Sequence, residues 1–224
     1  ALDYDHDSTR AGVLELLQEE ERSSLLARLA RAVESERRAS SSPIAEYHLG
    51  AGNPARAVDS ALVAAAKARE QLAFARAARL YEIALRHGCA DPGERCNVLR
   101  HLGEVMVAAG QGLQGAERII EGAELAPDPG EAIKLRALGV ESLFRCAEHA
   151  RALEHLHPLL NALGLTLWRR QSIALATLLS LRGQLWLQRR RGAERGRELS
   201  PEARLRMDVL WSLGVGLSLY DPLN

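Results

Sequence analysis

The segment EHARALEHLHP gathers side chains that could bind a metal ion, namely Glu148, His149, Glu154, His155 and His157. Glu154 and His157 are three residues apart, so they share one face of a helix, as ligands do in some carboxylate-bridged metal sites. Such sites also need ligands from other helices, and the sequence contains no second cluster of this kind. The simpler interpretation is a solvated helix surface, and we expect no bound metal.

The sequence offers little other chemistry. Cys89 and Cys96 flank a turn and Cys146 stands apart, whereas zinc ligation favours closer pairs with histidines at fixed spacing. We interpret all three as free thiols of a reducing cytoplasm. There is no GxxxxGK[ST] phosphate loop, no GxGxxG motif after a strand, no kinase signature segment and no nucleophile elbow. We therefore expect no catalytic residues, no cofactor and no ATP binding by this chain.

Two arginine-rich runs at 168–171 and 187–198 supply Arg169, Arg170, Arg189, Arg190 and Arg191. Arginine near a helix C-terminus complements the helix dipole, so a solvated helix end is the simpler interpretation. The alternative is a surface for an acidic protein partner. The whole chain has 29 basic and 29 acidic residues, a balance that argues against a nucleic-acid-binding protein. It also lacks the apolar run of about 20 residues that a membrane span needs.

The elements that must position these side chains are helices. Apolar residues recur at spacings of three and four, and no convincing alternating stretch appears. Turn-forming residues separate the segments. The pattern predicts an all-α fold with helices at residues 8–18, 20–38, 43–50, 54–70, 72–87, 92–109, 113–125, 130–147, 149–162, 168–190 and 201–219. Short links between them predict antiparallel neighbours. We also expect the helical tryptophans Trp168, Trp186 and Trp211 in the core.

Parts of the chain resemble one another at an interval of 36 residues. Leu102-Gly103 aligns with Leu138-Gly139, and Ala116 aligns with Ala152. A small residue on each helix lets the next helix approach closely, and a large residue one turn later fills the adjoining groove. We expect Gly103 and Gly139 at close helix crossings. The predicted packing positions are Gly50, Ala57, Ala77, Tyr81, Ala84, Gly103, Ala116, Gly139 and Ala152.

The Leu-Gly, Gly-Asn and Ala-x3-Tyr-x2-Ala steps within residues 43–160 resemble tetratricopeptide (TPR) repeats. The resemblance implies a TPR-like α-α superhelix, in which antiparallel hairpins stack as a solenoid over residues 41–224. The end of the chain, MDVLWSLGVGLSLYDPLN, is apolar over most of a helix circumference. A terminal repeat needs a polar outer face. We therefore expect a truncated solenoid whose last helix is covered by a further repeat or by a second copy in a homodimer.

A second resemblance covers residues 2–88 and rests on Tyr4, His6-Asp7, the helix at 13–17, the acidic-Arg turn at 19–22 and the helix end at 30–34. These features are similar to the segment after the ATPase in bacterial STAND-class regulators. The similarity implies that residues 1–40 are the end of a winged-helix and linker module. It also implies that the chain is a piece of a larger cytoplasmic signalling protein, a serine/threonine kinase being the expected parent.

Three functions follow as hypotheses. The first is a non-catalytic interaction or regulatory scaffold, whose partner is another protein, a peptide or another domain of the parent chain. The second is a solenoid that senses a small effector, as in STAND-type transcriptional activators or adenylate cyclases. The third is an independent helical enzyme. An open groove lined by polar and arginine side chains favours the scaffold, and a closed apolar cavity favours the sensor.

Overall fold

A computed structural model describes residue 12 and residues 18–35, 42–164 and 200–218. Regular structure in these residues is entirely helical, which confirms the all-α class. The helices are α1 Glu19–Ser35, α2 Ser42–Gly50, α3 Pro54–Glu70, α4 Phe74–His87, α5 Pro92–Ala108, α6 Gly112–Glu124, α7 Pro129–Arg145, α8 His149–Ala162 and α9 Pro201–Ser218. The predicted helices at 8–18 and 168–190 lie outside the described residues, apart from residues 12 and 18.

The chain divides into two compact units, Ala1–Pro127 and Asp128–Asn224. In the first unit each helix from α1 to α6 packs against the next one, and α2 also contacts α4. In the second unit α7 packs against both α8 and α9. The domain boundary predicted between residues 40 and 41 stays a prediction, and the helices on either side of it, α1 and α2, are in contact.

Three helical hairpins, α3–α4, α5–α6 and α7–α8, share the same dimensions. Their first helices have 17 residues each and begin at Pro54, Pro92 and Pro129. Proline suits a first helical position because the N–H group that it lacks would have no partner within the helix. Asp91 and Asp128 cap α5 and α7, and each accepts a 2.9 Å hydrogen bond from the backbone N–H three residues later. Aspartate in this place satisfies one of the free donors of the first turn.

Each hairpin turns at one residue with positive φ, which is 59° at Leu72, 87° at Gly110 and 64° at Ala147. The next residue donates its backbone N–H to the carbonyl group five residues back, in the pattern of a Schellman motif. These bonds join Ala73 to Ala68, Gln111 to Met106 and Glu148 to Leu143. Glycine takes this conformation without a Cβ penalty, so the sequence marks Gly110 as a turn but does not mark Leu72 or Ala147.

The turns set the interval between hairpins. They are 38 residues apart from Leu72 to Gly110 and 37 apart from Gly110 to Ala147. The interval of 36 inferred from the Leu-Gly steps is therefore one residue short between the second and third hairpins. The corrected register pairs Gly103 with Val140 instead of Gly139, and Ala152 with Gly115 instead of Ala116. The first helix of each hairpin has a constant length from its cap to its turn, so the cap and the turn define the register. The position of the Leu-Gly dipeptide within the helix does not.

Small side chains dominate the core of the first unit. The buried face of α3 consists of five alanines: Ala57, Ala61, Ala64, Ala65 and Ala68. Ala77, Leu80, Tyr81 and Ala84 form the buried face of α4. Residues as small as alanine let helix axes approach closely and leave Leu80 and Tyr81 to fill the space between them.

The α5–α6 crossing is tighter still, because two glycines meet there. A Cβ atom built on Gly103 would lie 2.5 Å from the carbonyl oxygen of Gly115. One built on Gly115 would lie 2.6 Å from the carbonyl oxygen of Gly103 and 2.8 Å from the backbone nitrogen of Val107. The two backbones therefore touch, and Gly103 lies at a close crossing as the sequence predicts.

The other predicted packing positions differ in their surroundings. Ala57, Ala77, Tyr81, Ala84, Ala116 and Ala152 are buried. Gly139 is buried within α7. Gly50 ends α2 at an exposed position, where an added Cβ would collide with the side chain of Leu26 on α1. Gly50 thus keeps room for α1, which packs Leu26 and Ala30 against Tyr47.

Candidate functional site

The candidate metal ligands of the sequence do not form a site. On α8, Glu154, His155 and His157 are exposed, and the ring of His149 lies against that of Phe144 with centroids 6.1 Å apart. In the part of the chain that the structure describes, no group of three or more His, Cys, Asp or Glu side chains is placed to hold a metal ion. Cys89, Cys96 and Cys146 are free thiols. Burial and then Glu94 raise the pKa of Cys89, which makes its reactive thiolate form less abundant.

The predicted arginine surface, consisting of Arg169, Arg170, Arg189, Arg190 and Arg191, lies outside the described residues, as do Trp168 and Trp186. It stays a prediction.

A polar cluster that the sequence analysis missed joins α3, α4 and α5. Arg69 on α3 approaches His101 on α5, with 2.6 Å between Nη1 and Nδ1. Because a guanidinium group can only donate, Nδ1 accepts this bond when it carries no proton, whereas a protonated Nδ1 donates instead to Glu104, 3.3 Å away. Glu104 on α5 lies 3.6 Å from Arg69 and 3.8 Å from Arg100. The ring of His101 stacks on that of Tyr81 from α4, with centroids 5.9 Å apart. The cluster fixes the polar edges of three helices against one another.

Charge in this cluster favours an ionised Glu104. The contact with His101 is the largest cause that lowers the pKa of Glu104, and burial opposes it. Arg100 and Arg69 lower this pKa further and can do so whichever form the ring takes, because guanidinium groups stay charged. Burial raises the pKa of Tyr81, so its phenol stays neutral. The single carboxylate of the cluster pairs with two arginines, and the buried Nε of Arg100 has no hydrogen-bond partner among the described residues. An ionised carboxylate held in this way fits a structural role better than acid–base catalysis.

A second charged feature is an open groove of about 360 Å³ over α5 in the first unit. We call it the arginine groove, and it is lined by Glu82, Leu85, Arg86, Arg95, Leu99, Leu102 and Arg118. Buried Leu99 and Leu102 of α5 form its floor. The residues from α4 and α6 form its walls. Arginines from three helices therefore surround an apolar floor.

Glutamates hold these arginines in place. The carboxylate of Glu121 on α6 lies 2.7 Å from Arg118 and 3.5 Å from Arg95, so it links α6 to α5. Glu82 lies 3.3 Å from Arg86, one turn away on α4. The guanidinium side chains remain 68% exposed at Arg86, 38% at Arg95 and 50% at Arg118. A guanidinium carries five N–H donors, and a single carboxylate contact does not saturate it.

The second unit contains an open pocket of about 600 Å³ at the start of α7 and α9 and the end of α8. Ile133, Leu163 and Leu205 supply apolar walls. Asp128, Lys134, Glu202 and Arg206 also line it and balance one another in charge. The volume suits a small organic ligand, because such pockets usually measure about 300–1,000 Å³.

The last helix, α9, exposes apolar side chains. Val209 and Leu213 are buried, whereas Met207 is 58%, Leu210 45% and Trp211 78% exposed. The expectation that Trp211 belongs to the core is therefore wrong. The physical reason is that Val209 and Leu213, four residues apart on one face, occupy the side of α9 that is buried, and Trp211 points away from it.

None of the helices described here is both long and apolar enough to cross a membrane. Comparisons of the chain with protein-family models, with curated proteins and with solved structures find no match.

Proposed function

We propose that the chain is a non-catalytic scaffold that binds a protein or peptide segment along a TPR-like solenoid of helical hairpins. The observation that carries the proposal is the threefold recurrence of one hairpin, with a 17-residue first helix and the same left-handed turn. A single hairpin of this kind cannot bury both of its faces, and within the first unit α3–α4 and α5–α6 stack through the contact of α4 with α5. Stacked hairpins present long surfaces, and such surfaces bind extended partners.

The resemblance noted in the sequence extends this proposal. The scaffold would belong to a larger bacterial signalling protein of the cytoplasm, a serine/threonine kinase with a STAND-type ATPase, and residues 1–40 would end the module before it. The partner would then bind one state of the attached domains more tightly than another, and this difference in affinity would shift the balance between the states. The open, arginine-lined groove supports the scaffold over a sensor with a closed apolar cavity.

The small-effector sensor is the second candidate, and the volume of the pocket in the second unit favours it, although this pocket is open rather than closed. Its size and mixed lining suit a compact molecule that carries both charge and apolar surface. Leu205→Trp would fill this pocket from α9. If the chain is a sensor, some small molecules should raise the melting temperature of the parent chain and should not raise that of Leu205→Trp. If the chain is only a scaffold, no small molecule should raise the melting temperature.

The scaffold is tested by panning a random peptide library displayed on phage against the full chain. We expect enriched peptides that bind saturably in the micromolar range and compete with one another for one surface. Calorimetry with ATP should show no saturable binding, because the sequence contains no phosphate loop. A chain that enriches no peptide but binds ATP with micromolar affinity would overturn the proposal.

A further inference from the structure

We propose that the arginine groove binds an acidic segment of a partner protein, with an apolar side chain against Leu85 and carboxylates on the arginines. This inference rests on the proposed scaffold function and names the chemistry of its partner. The lining of the groove carries three arginines and one glutamate.

The geometry selects a partner with carboxylates on both sides of an apolar residue. Arg86 stands on the α4 wall and Arg118 on the α6 wall, while Arg95 comes from α5. Half-buried Leu85 lies beside Arg86 and supplies the accessible apolar surface of the groove, because the two leucines of the floor beneath it are fully buried. An inorganic anion would use the arginines but leave Leu85 uncovered, whereas a peptide with a leucine between acidic residues would use both.

The arginines are already positioned. Glu121 holds Arg95 and Arg118 toward each other across two helices, so binding would cost little further side-chain freedom. Their pairs with glutamate are partly exposed, and exposed pairs contribute little energy. A carboxylate of the partner can therefore add to the free N–H directions without first breaking a strong bond. Bidentate arginine–carboxylate pairs are among the stronger hydrogen-bonded contacts in proteins.

Nucleic acid fits the same groove less well. The chain has 29 basic and 29 acidic residues, and a nucleic-acid-binding protein normally has a clear basic excess. In addition, Glu82 and Glu121 stand beside the arginines and would repel a continuous phosphate backbone. A short acidic segment can place its few carboxylates away from these two side chains.

The test uses the full chain and a fluorescein-labelled pentapeptide with one leucine between two pairs of acidic residues. Its isostere carries Asn and Gln in place of Asp and Glu, and a third peptide carries lysines. Fluorescence anisotropy should show micromolar binding of the acidic peptide. The isostere should bind at least about tenfold more weakly, since each charge-assisted hydrogen bond contributes about a factor of ten. Raising NaCl from about 0.05 to about 0.5 M should weaken binding of the acidic peptide more than binding of its isostere.

The variant Arg86→Glu/Arg118→Glu should bind the acidic peptide about a hundredfold more weakly than the parent, at about tenfold for each reversed charge. Both side chains are half or more exposed, so the fold should survive. Each new glutamate would lie beside Glu82 or Glu121, so the melting temperature should fall slightly below that of the parent. The matched control is Arg56→Glu, which reverses an exposed arginine on α3 outside the groove. Binding by this control should equal binding by the parent.

Other outcomes separate this inference from the scaffold function. If the double reversal binds the acidic peptide as tightly as the parent, or if the isostere or the lysine peptide binds equally well, the groove assignment fails and the scaffold stands. If single-stranded DNA of the same charge displaces the peptide at a lower concentration, the groove is a general anion site and the inference fails. If neither these peptides nor any peptide from the phage library binds, the inference and the scaffold proposal both fail.

Discussion

The α5–α6 crossing should respond to the addition of one methyl group. In Gly103→Ala the new Cβ would lie 2.5 Å from the carbonyl oxygen of Gly115, about 0.9 Å inside the 3.4 Å at which ordinary contact begins. The obstacle is backbone, so the two helices must part. Overpacking of this kind costs about 1–3 kcal/mol, and the better helix preference of alanine returns about 0.5–1 kcal/mol. We expect a net loss of about 1–2 kcal/mol in the free energy of unfolding. Gly103→Leu should lose about 3 kcal/mol or more.

The reciprocal contact allows a stricter test. Gly115→Ala meets the carbonyl oxygen of Gly103 at 2.6 Å, so it forces the same two helices apart. Once one methyl group has separated them, the second has less to displace. The double variant should therefore lose less stability than the sum of the two single losses, because neighbouring sites that share one backbone shift are not additive. Urea unfolding followed by circular dichroism gives these free energies, and amide hydrogen exchange in α5 and α6 localises the change.

Asn97→Ala is the control for this test. Asn97 is exposed on the same helix, so alanine there changes helix preference alone and should stabilise the chain by about 0.5 kcal/mol. If Gly103→Ala behaves like Asn97→Ala, or if the losses from Gly103→Ala and Gly115→Ala add fully, then the backbones are not in contact at this crossing.

Three further outcomes are expected. Because the pKa of Glu104 is lowered in the folded chain, Glu104 contributes stability above its ordinary value of 4.5, and that contribution is lost as pH falls through the folded pKa. Urea unfolding should therefore show a smaller loss between about pH 7 and about pH 3.5 in Glu104→Gln than in the parent; equal losses would remove Glu104 from the acid response. Leu72→Gly should raise the unfolding free energy by about 0.5–1 kcal/mol, because leucine there has a φ of 59° and is 71% exposed. A lower stability would mean that this side chain makes contacts that outweigh its strain. In light scattering the chain should dimerise through α9, and Trp211→Glu should restore the monomer, since Trp211 is 78% exposed; a parent chain that stays monomeric at high concentration would refute the dimer.

Helix positions could be predicted from the sequence because the spacing of the apolar residues and the positions of the turn-forming residues agree. Every described helix begins and ends within three residues of its expected bounds, and Pro54, Pro92 and Pro129 mark first turns. The hairpin register was harder to predict. Two of the three turn residues, Leu72 and Ala147, are types that seldom adopt positive φ. Without them the Leu-Gly step was the strongest repeating signal, and it is displaced by one residue.

The arginine groove was missed for a different reason. Arg86 and Arg118 are 32 residues apart in sequence, and they share a groove only because α4 and α6 both flank α5. Their local signals, an arginine one turn from Glu82 and another from Glu121, are also typical of solvated helix faces. The side of α9 could not be chosen either. From Val209 onward α9 is apolar nearly all round, so this part has no pattern that shows which face will be buried.

The crossing and the groove are adjacent, and this links stability to binding. Gly103 follows Leu102 of the groove floor, and an added Cβ on Gly103 meets Ile119, which follows Arg118 of the groove wall. Parting α5 from α6 should therefore move Arg118 away from Arg95 and loosen the grip of Glu121 on both. We expect Gly103→Ala to bind the acidic peptide severalfold more weakly than the parent, under conditions in which the variant is fully folded.

Ala65→Gly is the control for this effect. It lies on α3 at the register position of Gly103, is fully buried, and should cost about 1 kcal/mol of helix stability without touching the groove. Binding should fall in Gly103→Ala and stay at the parent value in Ala65→Gly. If both variants lose affinity in proportion to their stability, general loosening of the unit explains the effect, and the spacing of α5 and α6 does not set the width of the groove.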